Sequence, residues 1–324
     1  MSISRRSLFQ FSAIGATALA TPMLMQRAAE ASDADASASL VGSKTFTFGD
    51  FEITVMSDGH RIVPNPQGIF GQEQTVETVE ALLDENFLPT DRMQFNFAPT
   101  LVRSGSELIL FDTGNGEGGR EAGVGQTRAA LMAAGYQPED VTIVVITHMH
   151  GDHIGGLTED GAPGFPNARY VTNATEYDFW SDSALIGTPA ESSHENFKAK
   201  VVPFADKMTF VNDGDSVVSG ITAMAAFGHT PGHMIYRIES GGRQLVLAAD
   251  TANHYVLSLK RPDWEVRFDM DKAAAAQTRK RVFDMIATDR VGFVGYHMPF
   301  PAIGFVEKLD TGYRFVPASY QFDI

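Results

Sequence analysis

The sequence contains, near its middle, the stretch Thr147-His148-Met149-His150-Gly151-Asp152-His153, which follows directly on the apolar run Ile143–Ile146. Three of the nine histidines of the chain lie in this stretch, together with one aspartate. The β-branched run predicts a buried strand, and the glycines that follow permit a loop with backbone angles that other residues avoid. Imidazole nitrogens and carboxylate oxygens are ligands of zinc and similar divalent metals. The sequence therefore predicts a strand that ends in a metal-binding loop.

Composition and charge limit the classes of protein to consider. The 324 residues are 44% hydrophobic and 20% charged, which is typical of a globular protein. The formal net charge of −15 argues against nucleic acid or an anionic membrane surface as the main partner, since both require clustered lysine and arginine. The chain has no cysteine, so disulfides, thiolate metal ligands and a cysteine nucleophile are excluded.

The first thirty-one residues have the features of an export signal. The charged segment Ser4–Phe9, with its paired arginines, precedes the apolar and uncharged run Phe11–Met25 and the small-residue ending Arg27–Ala31. This pattern resembles a signal peptide of the twin-arginine type. A membrane anchor is the alternative, but the apolar run is short and Pro22 interrupts it.

The sequence therefore predicts three segments. Residues 1–31 are expected to be the signal peptide, residues 32–43 a flexible leader, and residues 44–324 one folded α/β domain. We expect the mature protein to be periplasmic or secreted, with no stable membrane association after signal cleavage.

Strand and helix patterns alternate along the rest of the chain. The predicted strands are Thr45–Phe48, Phe51–Met56, Thr100–Val102, Glu107–Phe111, Ile143–Ile146, Ala168–Val171, Met208–Val211, Ile221–Phe227, Met234–Ile238, Gln244–Ala248, Val291–Val294, Phe305–Leu309 and Tyr313–Val316. The predicted helices are Val76–Phe87, Gln126–Ala134, Thr175–Ser181, Ser192–Lys200 and Lys272–Thr288. On the last helix, Arg279 is expected to lie off the apolar face.

Three more polar residues follow apolar strands. His229, Asp250 and His297 each come shortly after a predicted strand, as the histidine stretch does. A single polar residue at a strand end is usually a turn or capping residue. Open α/β folds, however, assemble their sites from residues just beyond the ends of neighbouring strands. Four such places in one chain therefore indicate a shared site.

In this order and spacing, the pattern resembles the metallo-β-lactamase superfamily. The pattern consists of His148-x-His150-x-Asp152-His153, Gly228-His229, Asp250 and Gly295-Tyr296-His297. The resemblance covers the chain from about Thr45 onward and implies an α/β fold, a four-layer αββα sandwich of two mixed sheets with outer helices.

The resemblance also implies a dinuclear metal site. The implied ligands are His148, His150 and His229 for one metal, Asp152, His153 and His297 for the second, and Asp250 as the bridge. The implied cofactors are two divalent ions, zinc first, with manganese, iron or cobalt as alternatives. β-Lactamases with a cysteine ligand are excluded, and a histidine at position 150 disfavours the diiron oxygen-reducing branch, which usually has glutamate there.

Within the superfamily, the chain resembles most the methyl parathion hydrolase group and the related quorum-quenching lactonases. The resemblance implies that Trp180 and Phe197 line an aromatic substrate pocket, with Asn253 and His254 at its rim. The glycine-rich segment Asn115–Gly125 departs from that group, which has an aromatic residue there. Lactonases that open acyl-homoserine lactones have tyrosine where this chain has Asn253.

Other polar residues near the site are expected to be secondary. His233 lies four residues after His229 and is expected to orient the ligands by hydrogen bonding rather than bind metal. The glycine-rich segment Asp112–Gly116 lacks the lysine of a phosphate loop, so we expect a loop at the edge of the metal site. The acidic run Asp269–Asp271 is expected to be solvated surface or the start of a helix.

These expectations define a function. A hydroxide bridging two metals would attack the carbonyl or phosphorus of small neutral or apolar esters, lactones or phosphotriesters, and Asp152 and Asp250 would be the catalytic carboxylates. The alternatives are a mononuclear iron persulfide oxygenase of the same fold, or a non-catalytic binding protein that its metals stabilise. The expected partner is a small-molecule substrate rather than nucleic acid, with a homodimer implied by resemblance alone.

Overall fold

The structure, a computed structural model, describes residues 42–318. The predicted signal peptide and nearly all of the predicted leader lie outside these residues. Within residues 42–318, no helix combines the length and apolar character that a bilayer-spanning helix needs.

Eighteen strands and seven α-helices are formed between residues 42 and 318, and they are numbered here in chain order. The strands are β1 (Ser43–Phe48), β2 (Phe51–Met56), β3 (Gly59–Pro64), β4 (Arg92–Phe97), β5 (Thr100–Ser104), β6 (Glu107–Phe111), β7 (Ile143–Val145), β8 (Thr158–Glu159), β9 (Ala162–Pro163), β10 (Arg169–Thr172), β11 (Met208–Phe210), β12 (Ser216–Val218), β13 (Ile221–Ala225), β14 (Met234–Ser240), β15 (Arg243–Leu247), β16 (Gly292–Val294), β17 (Ile303–Lys308) and β18 (Tyr313–Pro317). The helices are α1 (Val76–Glu85), α2 (Thr127–Ala133), α3 (Gly151–Ile154), α4 (Ala174–Ser181), α5 (Glu191–Lys200), α6 (Leu257–Lys260) and α7 (Lys272–Asp289).

Two seven-stranded mixed sheets form the centre of the fold. Sheet 1 has the order β1-β2-β5-β6-β7-β10-β11, and sheet 2 has the order β12-β13-β14-β15-β16-β17-β18. In sheet 1 the strands from β6 to β11 run parallel, and in sheet 2 the β15–β16 pair is parallel. The prediction of an α/β sandwich with two mixed sheets is confirmed.

The alternation of side chains along the strands explains the layers. On β6, Ile109 and Phe111 point into the space between the sheets, where the Phe111 ring lies 5.1 Å from that of Tyr236 on β14. Leu108 and Leu110 point the other way, into a second cluster shared with α2, α4 and α5. A strand buried on both faces carries apolar residues at every position, because successive side chains face opposite layers.

Helix α7 covers sheet 2. It begins where the side chain of Asp271 accepts a hydrogen bond from the backbone N–H of Ala274, which caps the helix N-terminus. Its buried face includes Phe283, whose ring lies 5.4 Å from that of Phe293 on β16. Arg279 is also on the buried side, with only 1% of its surface exposed, so the prediction that it lies off this face is wrong.

A third apolar cluster lies under an antiparallel pair of strands, β3 and β4, which the sequence patterns did not predict. The pair is called the hairpin here, although residues 65–91, including helix α1, connect its strands. Strands β3 and β4 pair with each other in antiparallel register, apart from both large sheets. Phe95 and Phe97 of β4 pack with α1 and with the segment around Trp264. The hairpin is thereby held over the edge of the sandwich where the strands of both sheets end.

Candidate metal centre

Six of the seven predicted ligands lie on loops that follow strands of a parallel pair, whereas His229 follows β13, which pairs antiparallel with both neighbours. β6 and β7 are parallel neighbours, and so are β15 and β16. The histidine stretch follows β7, Asp250 follows β15, and His297 follows β16. Since the carboxyl ends of parallel strands meet at one edge, these loops converge.

One group contains three histidines. The Nε2 atom of His148 lies 3.1 Å from Nδ1 of His150, and Nε2 of His229 lies 3.0 Å from the same nitrogen. Two tetrahedral ligands of one zinc ion, at bonds of 2.0–2.1 Å, are separated by roughly 3.3 Å. The spacing of the three imidazole nitrogens is therefore close to that of ligands on one metal.

A second group lies beside the first. The Oδ2 atom of Asp152 is 3.5 Å from Nε2 of His153 and 3.6 Å from Nε2 of His297. Asp250 spans both groups, because its Oδ1 lies 3.2 Å from Nε2 of His153 and its Oδ2 lies 3.3 Å from Nε2 of His229. The structure thus brings all seven predicted ligands together.

The hydrogen bonds of the outer ring nitrogens, Nδ1, show which way the Nε2 lone pairs of the ligand histidines point. His297 Nδ1 donates to the carbonyl oxygen of Asn96 at 2.7 Å, and His153 Nδ1 lies 2.8 Å from a carboxylate oxygen of Asp112. His229 Nδ1 makes the same kind of contact with Asp269, at 2.9 Å. A neutral imidazole has one N–H, so a ring that donates through Nδ1 presents a lone pair at Nε2.

His148 follows the same rule. Its Nδ1 lies 3.1 Å from the hydroxyl oxygen of Thr147, and that hydroxyl donates its own hydrogen to Asp112. The hydroxyl oxygen must therefore accept from His148 Nδ1, which leaves the Nε2 lone pair facing the other ligands. Such hydrogen bonds to the outer nitrogen are the usual way to fix the tautomer and orientation of a metal-binding histidine.

Lone pairs and carboxylate oxygens thus face one another across a buried space. Nε2 of His153 and Oδ1 of Asp250 are both buried, and neither has a hydrogen-bond partner among the described residues. A buried polar atom without a partner is costly, and two facing acceptors repel unless a cation lies between them. The donor set of nitrogens and carboxylate oxygens is one that zinc and related divalent ions accept. The residues therefore fit a pair of metal ions.

The pKa shifts of the predicted ligands agree with binding of metal ions in this space. Burial lowers the pKa of His148 well below its ordinary value and that of His150 to about 3, so both rings are neutral and able to bind metal. Burial also lowers the pKa of His153, but the charges of Asp250 and Asp152 outweigh it and raise that pKa well above its ordinary value. Burial raises the pKa of Asp152, but the charge of His153 outweighs it and lowers that pKa to about 2. Without a metal ion, the carboxylates favour a proton on His153, and a bound metal would take the place of that proton and leave the Nε2 lone pair free to bind it.

A buried ion pair between Asp269 and Arg279 holds His229, a member of the three-histidine group, in place. Asp269, which accepts from His229 Nδ1, also accepts from Nη2 of Arg279 at 2.7 Å. The same guanidinium donates to the carbonyl oxygens of Thr251 and Pro262. Asp269 is 4% exposed, so the prediction that it is solvated surface is wrong, whereas the prediction of a helix start holds at residue 271.

Glu176 ties two ligand loops together, and the sequence patterns did not indicate it. Its fully buried carboxylate accepts from the backbone N–H groups of Met149 and Gly232, at 2.9 Å each, and from the hydroxyl of Thr230 at 2.7 Å. A Cβ at Gly232 would lie 2.2 Å from Glu176 N, so only glycine permits this approach. The carboxylate therefore holds the loop before His150 against the loop after His229.

His233 and Tyr296 contact the backbones of the two proposed carboxylate ligands, Asp250 and Asp152. His233 Nδ1 donates to the carbonyl oxygen of Ala226 at 2.9 Å, and its Nε2 accepts from Asp250 N at 3.2 Å. It thus contacts the backbone of Asp250 in the orienting position that the sequence predicted. The ring of Tyr296 stacks on that of His153 at 4.0 Å between centroids, and its hydroxyl donates to the carbonyl oxygen of Asp152.

A cavity of about 620 Å³ opens onto the metal-binding groups. His150, Asp152, Asp250 and His297 form its floor. Its walls are Arg61 and Val63 of β3, Phe95 and Phe97 of β4, Ile69, Asn115, Gly151, Ser193, Arg267 and Phe268. The unpredicted hairpin β3–β4 is thus one wall of the cavity.

The predicted pocket residues lie elsewhere. Trp180 is 2% exposed and Phe197 is fully buried, and both pack in the core behind sheet 1 rather than along the cavity. Trp180 donates its indole N–H to Glu176. Asn253 is buried and donates to Asp250 Oδ2 at 2.8 Å, while His254 faces a separate cavity on the other side of the hairpin. None of the four residues lines the cavity at the metal-binding groups, so the expectation that they form the substrate pocket is wrong.

The family follows from a direct comparison. The model of the metallo-beta-lactamase superfamily matches residues 99–287, more than half of the chain. The chain belongs to the metallo-beta-lactamase superfamily, as its motif predicts.

Lactonases are among the curated relatives. An N-acyl homoserine lactonase of Bacillus sp is 28% identical over 168 residues, which cover 51% of this chain and 60% of the relative. Another from Bacillus thuringiensis is 30% identical over 124 residues, which cover 38% of this chain and 43% of the relative. The chain thus matches less than two thirds of the length of either relative.

Solved structures extend the likeness to most of the fold. AidC, described as a dizinc quorum-quenching lactonase in complex with a product, superposes with a TM-score of 0.82 at 28% identity, covering 87% of this chain and 99% of that one. The hydrolase AbOPH of the beta lactamase superfamily gives a TM-score of 0.80 at 27% identity, with the same coverage. The predicted similarity to quorum-quenching lactonases is confirmed.

Proposed function

We propose that this chain is an exported, dinuclear metal-dependent hydrolase that cleaves ester bonds, with lactones as the first substrate class. Aryl esters and phosphotriesters are the other classes that we expect it to accept. The observation that carries the proposal is the convergence of imidazole lone pairs and two carboxylates on one buried space at the floor of a cavity. The similarity to an N-acyl homoserine lactonase and to a dizinc quorum-quenching lactonase supports the choice of lactones.

We assign His148, His150 and His229 to one metal, Asp152, His153 and His297 to the other, and Asp250 to both. Zinc is the first candidate for both sites. Two bound divalent ions supply a nucleophile at neutral pH by lowering the pKa of water from 15.7 to about 7, and they polarise the attacked carbonyl or phosphoryl group.

The side chains of the cavity account for the remaining requirements of hydrolysis. Water adds to the acyl carbon, the ring C–O bond breaks, and the departing alkoxide oxygen needs a proton. Asp152 lines the cavity and keeps 24% of its side chain exposed, so it is the carboxylate placed to pass that proton. Phe95, Phe97 and Phe268 provide apolar walls for the rest of the substrate.

The test is a turnover screen of the zinc-loaded protein with γ- and δ-lactones, acyl-homoserine lactones, aryl esters and phosphotriesters, alongside elemental analysis. We expect two metals per chain and lactone turnover. Asp152→Ala should remove turnover while the protein stays folded, and Asp310→Ala, in the exposed β17–β18 turn, is the matched control.

Other outcomes would contradict the proposal. One iron per chain with oxygen consumption on a persulfide would indicate the oxygenase alternative. Two metals without turnover of any substrate, and an Asp152→Ala variant that loses only thermal stability, would indicate a structural role for the metals.

Export is the second half of the proposal. The twin-arginine pattern of residues 5 and 6 and the apolar run behind it support it. We expect the native chain in the periplasmic fraction of a bacterial host, and a chain with Arg5→Lys and Arg6→Lys in the cytoplasm. Equal distribution of the two chains would contradict export by this route.

A further inference from the structure

Two arginines line the cavity of an otherwise acidic protein. Arg61 and Arg267 both belong to the cavity wall, on β3 and on the segment before α7. In the part of the chain that the structure describes, neither forms an ion pair with a carboxylate. Arg61 makes one long hydrogen bond, 3.5 Å, to the side-chain oxygen of Asn115. By contrast, Arg103 is paired with Glu52 at 3.2 Å.

The two arginines border the same aromatic surface. Arg61 is the direct cross-strand partner of Phe95. The Phe95 ring lies 6.0 Å from that of Phe268, and the guanidinium of Arg267 lies 5.0 Å over the Phe268 ring. Arg267 is further fixed by its backbone N–H, which donates to the carbonyl oxygen of Ile69 at 2.8 Å. Both arginines therefore border one apolar platform, formed by Phe95 and Phe268.

This platform adjoins the reacting end of the cavity. The Phe95 ring lies 4.2 Å from the imidazole of His297, which is one of the proposed metal ligands. A substrate whose ester lies at the metals would place its apolar part on Phe95 and Phe268. Arg61 and Arg267 would then flank this apolar part, since both line the same cavity as Asp152 and Asp250, which belong to the metal-binding groups.

We propose that Arg61 and Arg267 form an anion subsite, which selects lactone or ester substrates carrying a carboxylate or phosphate group remote from the cleaved bond. This inference rests on the proposed hydrolase function and departs from the expectation of neutral or apolar substrates. Both arginines are exposed on the cavity wall, and guanidinium groups without a carboxylate partner attract anions there, because low-dielectric apolar walls focus the field. Guanidinium groups also match the planar, forked geometry of carboxylate and phosphate oxygens.

The experiment compares a γ-lactone whose side chain ends in a carboxylate with the isosteric lactone that ends in a carboxamide. For the zinc-loaded native protein, we expect kcat/KM to favour the carboxylate by roughly tenfold or more, the scale of a charge-assisted hydrogen bond. Arg61→Gln and Arg267→Gln should each reduce this ratio several-fold, and the double variant should bring it close to one. Arg61→Lys should restore part of the ratio, since it restores the charge. The preference should also shrink as ionic strength rises.

Arg92→Gln is the matched control. Arg92 lies on the same hairpin, carries the same charge and lines the separate cavity behind it, so this change should leave the carboxylate-to-carboxamide ratio unaltered. A native ratio near one, or equal losses on both lactones in the arginine variants, would overturn the subsite. Given a carboxylate preference, a higher kcat/KM for the phosphate-terminated lactone than for the carboxylate-terminated one would identify phosphate as the preferred anion.

Failure of the hydrolase proposal would look different. If the metal-loaded protein turned over neither lactone, binding of the same two compounds, measured by calorimetry, would still decide the subsite. Tighter binding of the carboxylate, lost in the double arginine variant, would sustain it, and equal binding would overturn it.

Discussion

The cavity has two faces that differ in how their side chains are held. On the floor and directly beneath it, four of the five metal-binding imidazoles are each fixed through the outer ring nitrogen Nδ1, by Thr147, Asp112, Asp269 or the backbone of Asn96. On the wall, the side chains of hairpin β3–β4 make few polar contacts, and Arg61 has only a long one. One hydrogen bond, from His297 to the Asn96 carbonyl oxygen, joins the two faces directly.

This difference implies that the floor binds the metals, whereas the wall determines which substrates fit. Metal ligands must hold their geometry within narrow limits, and four of the five imidazoles accordingly have a hydrogen-bond partner at the outer nitrogen. A wall of apolar and unpaired side chains tolerates exchange, since each residue contributes contact area or charge rather than a fixed bond. Three changes, taken from the largest expected effect to the smallest, test whether the two faces are independent, and a fourth gives the effect of a substitution away from both.

Asp250→Asn should have the largest effect. The carboxylate lies within 3.3 Å of His153, His229 and His297, and an amide would bring N–H groups towards the lone pairs of these rings. We expect the loss of at least one metal per chain and a fall in kcat/KM of about 1,000-fold or more. Elemental analysis and lactone kinetics measure both. Near-native turnover with a single metal would show that the floor is not organised around a shared carboxylate.

Glu176→Gln should weaken metal binding, although Glu176 does not line the cavity. One carboxylate oxygen accepts from Met149 and Trp180 and the other from Thr230 and Gly232, so an amide, with a single acceptor oxygen, must lose one of these two pairs. We expect metal affinity to fall about 10- to 100-fold, as for other groups that hold ligands in place. Competition with a chelating dye measures it, with Glu195→Gln on the exposed face of α5 as the control. Lower thermal stability at unchanged metal affinity would mean that Glu176 only supports packing.

Val63→Ala should alter the wall alone. Val63 lies on the cavity side of β3, and loss of its methyl groups removes apolar contact with the substrate. We expect kcat/KM for substrates with long apolar chains to fall about fivefold, the scale of one or two buried methyl groups. Metal content should stay at the native value. A variant that also lost metal would show that the wall and the floor are not independent.

Glu52→Gln should have the smallest effect, because it changes an exposed ion pair on sheet 1, away from both faces. Hydrogen bonds from Arg103 and Tyr136 lower the pKa of Glu52 below its ordinary value of 4.5. A lowered folded-state pKa means that the stabilisation is present above pH 4.5 and is lost as the pH falls through the folded pKa. We expect about 0.5 kcal/mol lower stability at pH 7, and no difference near pH 2. Denaturant titration at both pH values measures it, and an equal difference at both would contradict the ion-pair origin.

The metal ligands could be predicted because their signals are local. Each one follows an apolar strand within a few residues, and the histidine stretch carries four of the seven by itself. The central strands were predicted for the same reason, since continuous apolar runs indicate strands buried on both faces.

The supporting groups could not be predicted, because their partners are remote in sequence. Asp112 meets His153 across 41 positions, and Asp269 meets His229 across 40. Glu176 and Arg279 resemble ordinary charged residues of helices, and only the packed structure shows that both are buried. Charge patterns along a helix indicate exposure on average, but a buried hydrogen-bonded partner reverses that expectation.

The hairpin and the pocket were missed for a related reason. Strand β3 is mostly exposed, so it shows little of the apolar alternation by which a strand is identified. Trp180 and Phe197 were assigned to the pocket by resemblance, but both sit behind the ligand loops, where Trp180 supports Glu176.

The bond between His297 and residue 96 has a consequence for how such an enzyme can diversify. Its acceptor is a peptide oxygen, which every amino acid supplies, so the ligand keeps its anchor whatever side chain occupies that position. Substitutions at position 96 can therefore accumulate during evolution while His297, a proposed metal ligand, keeps its hydrogen bond to the hairpin backbone.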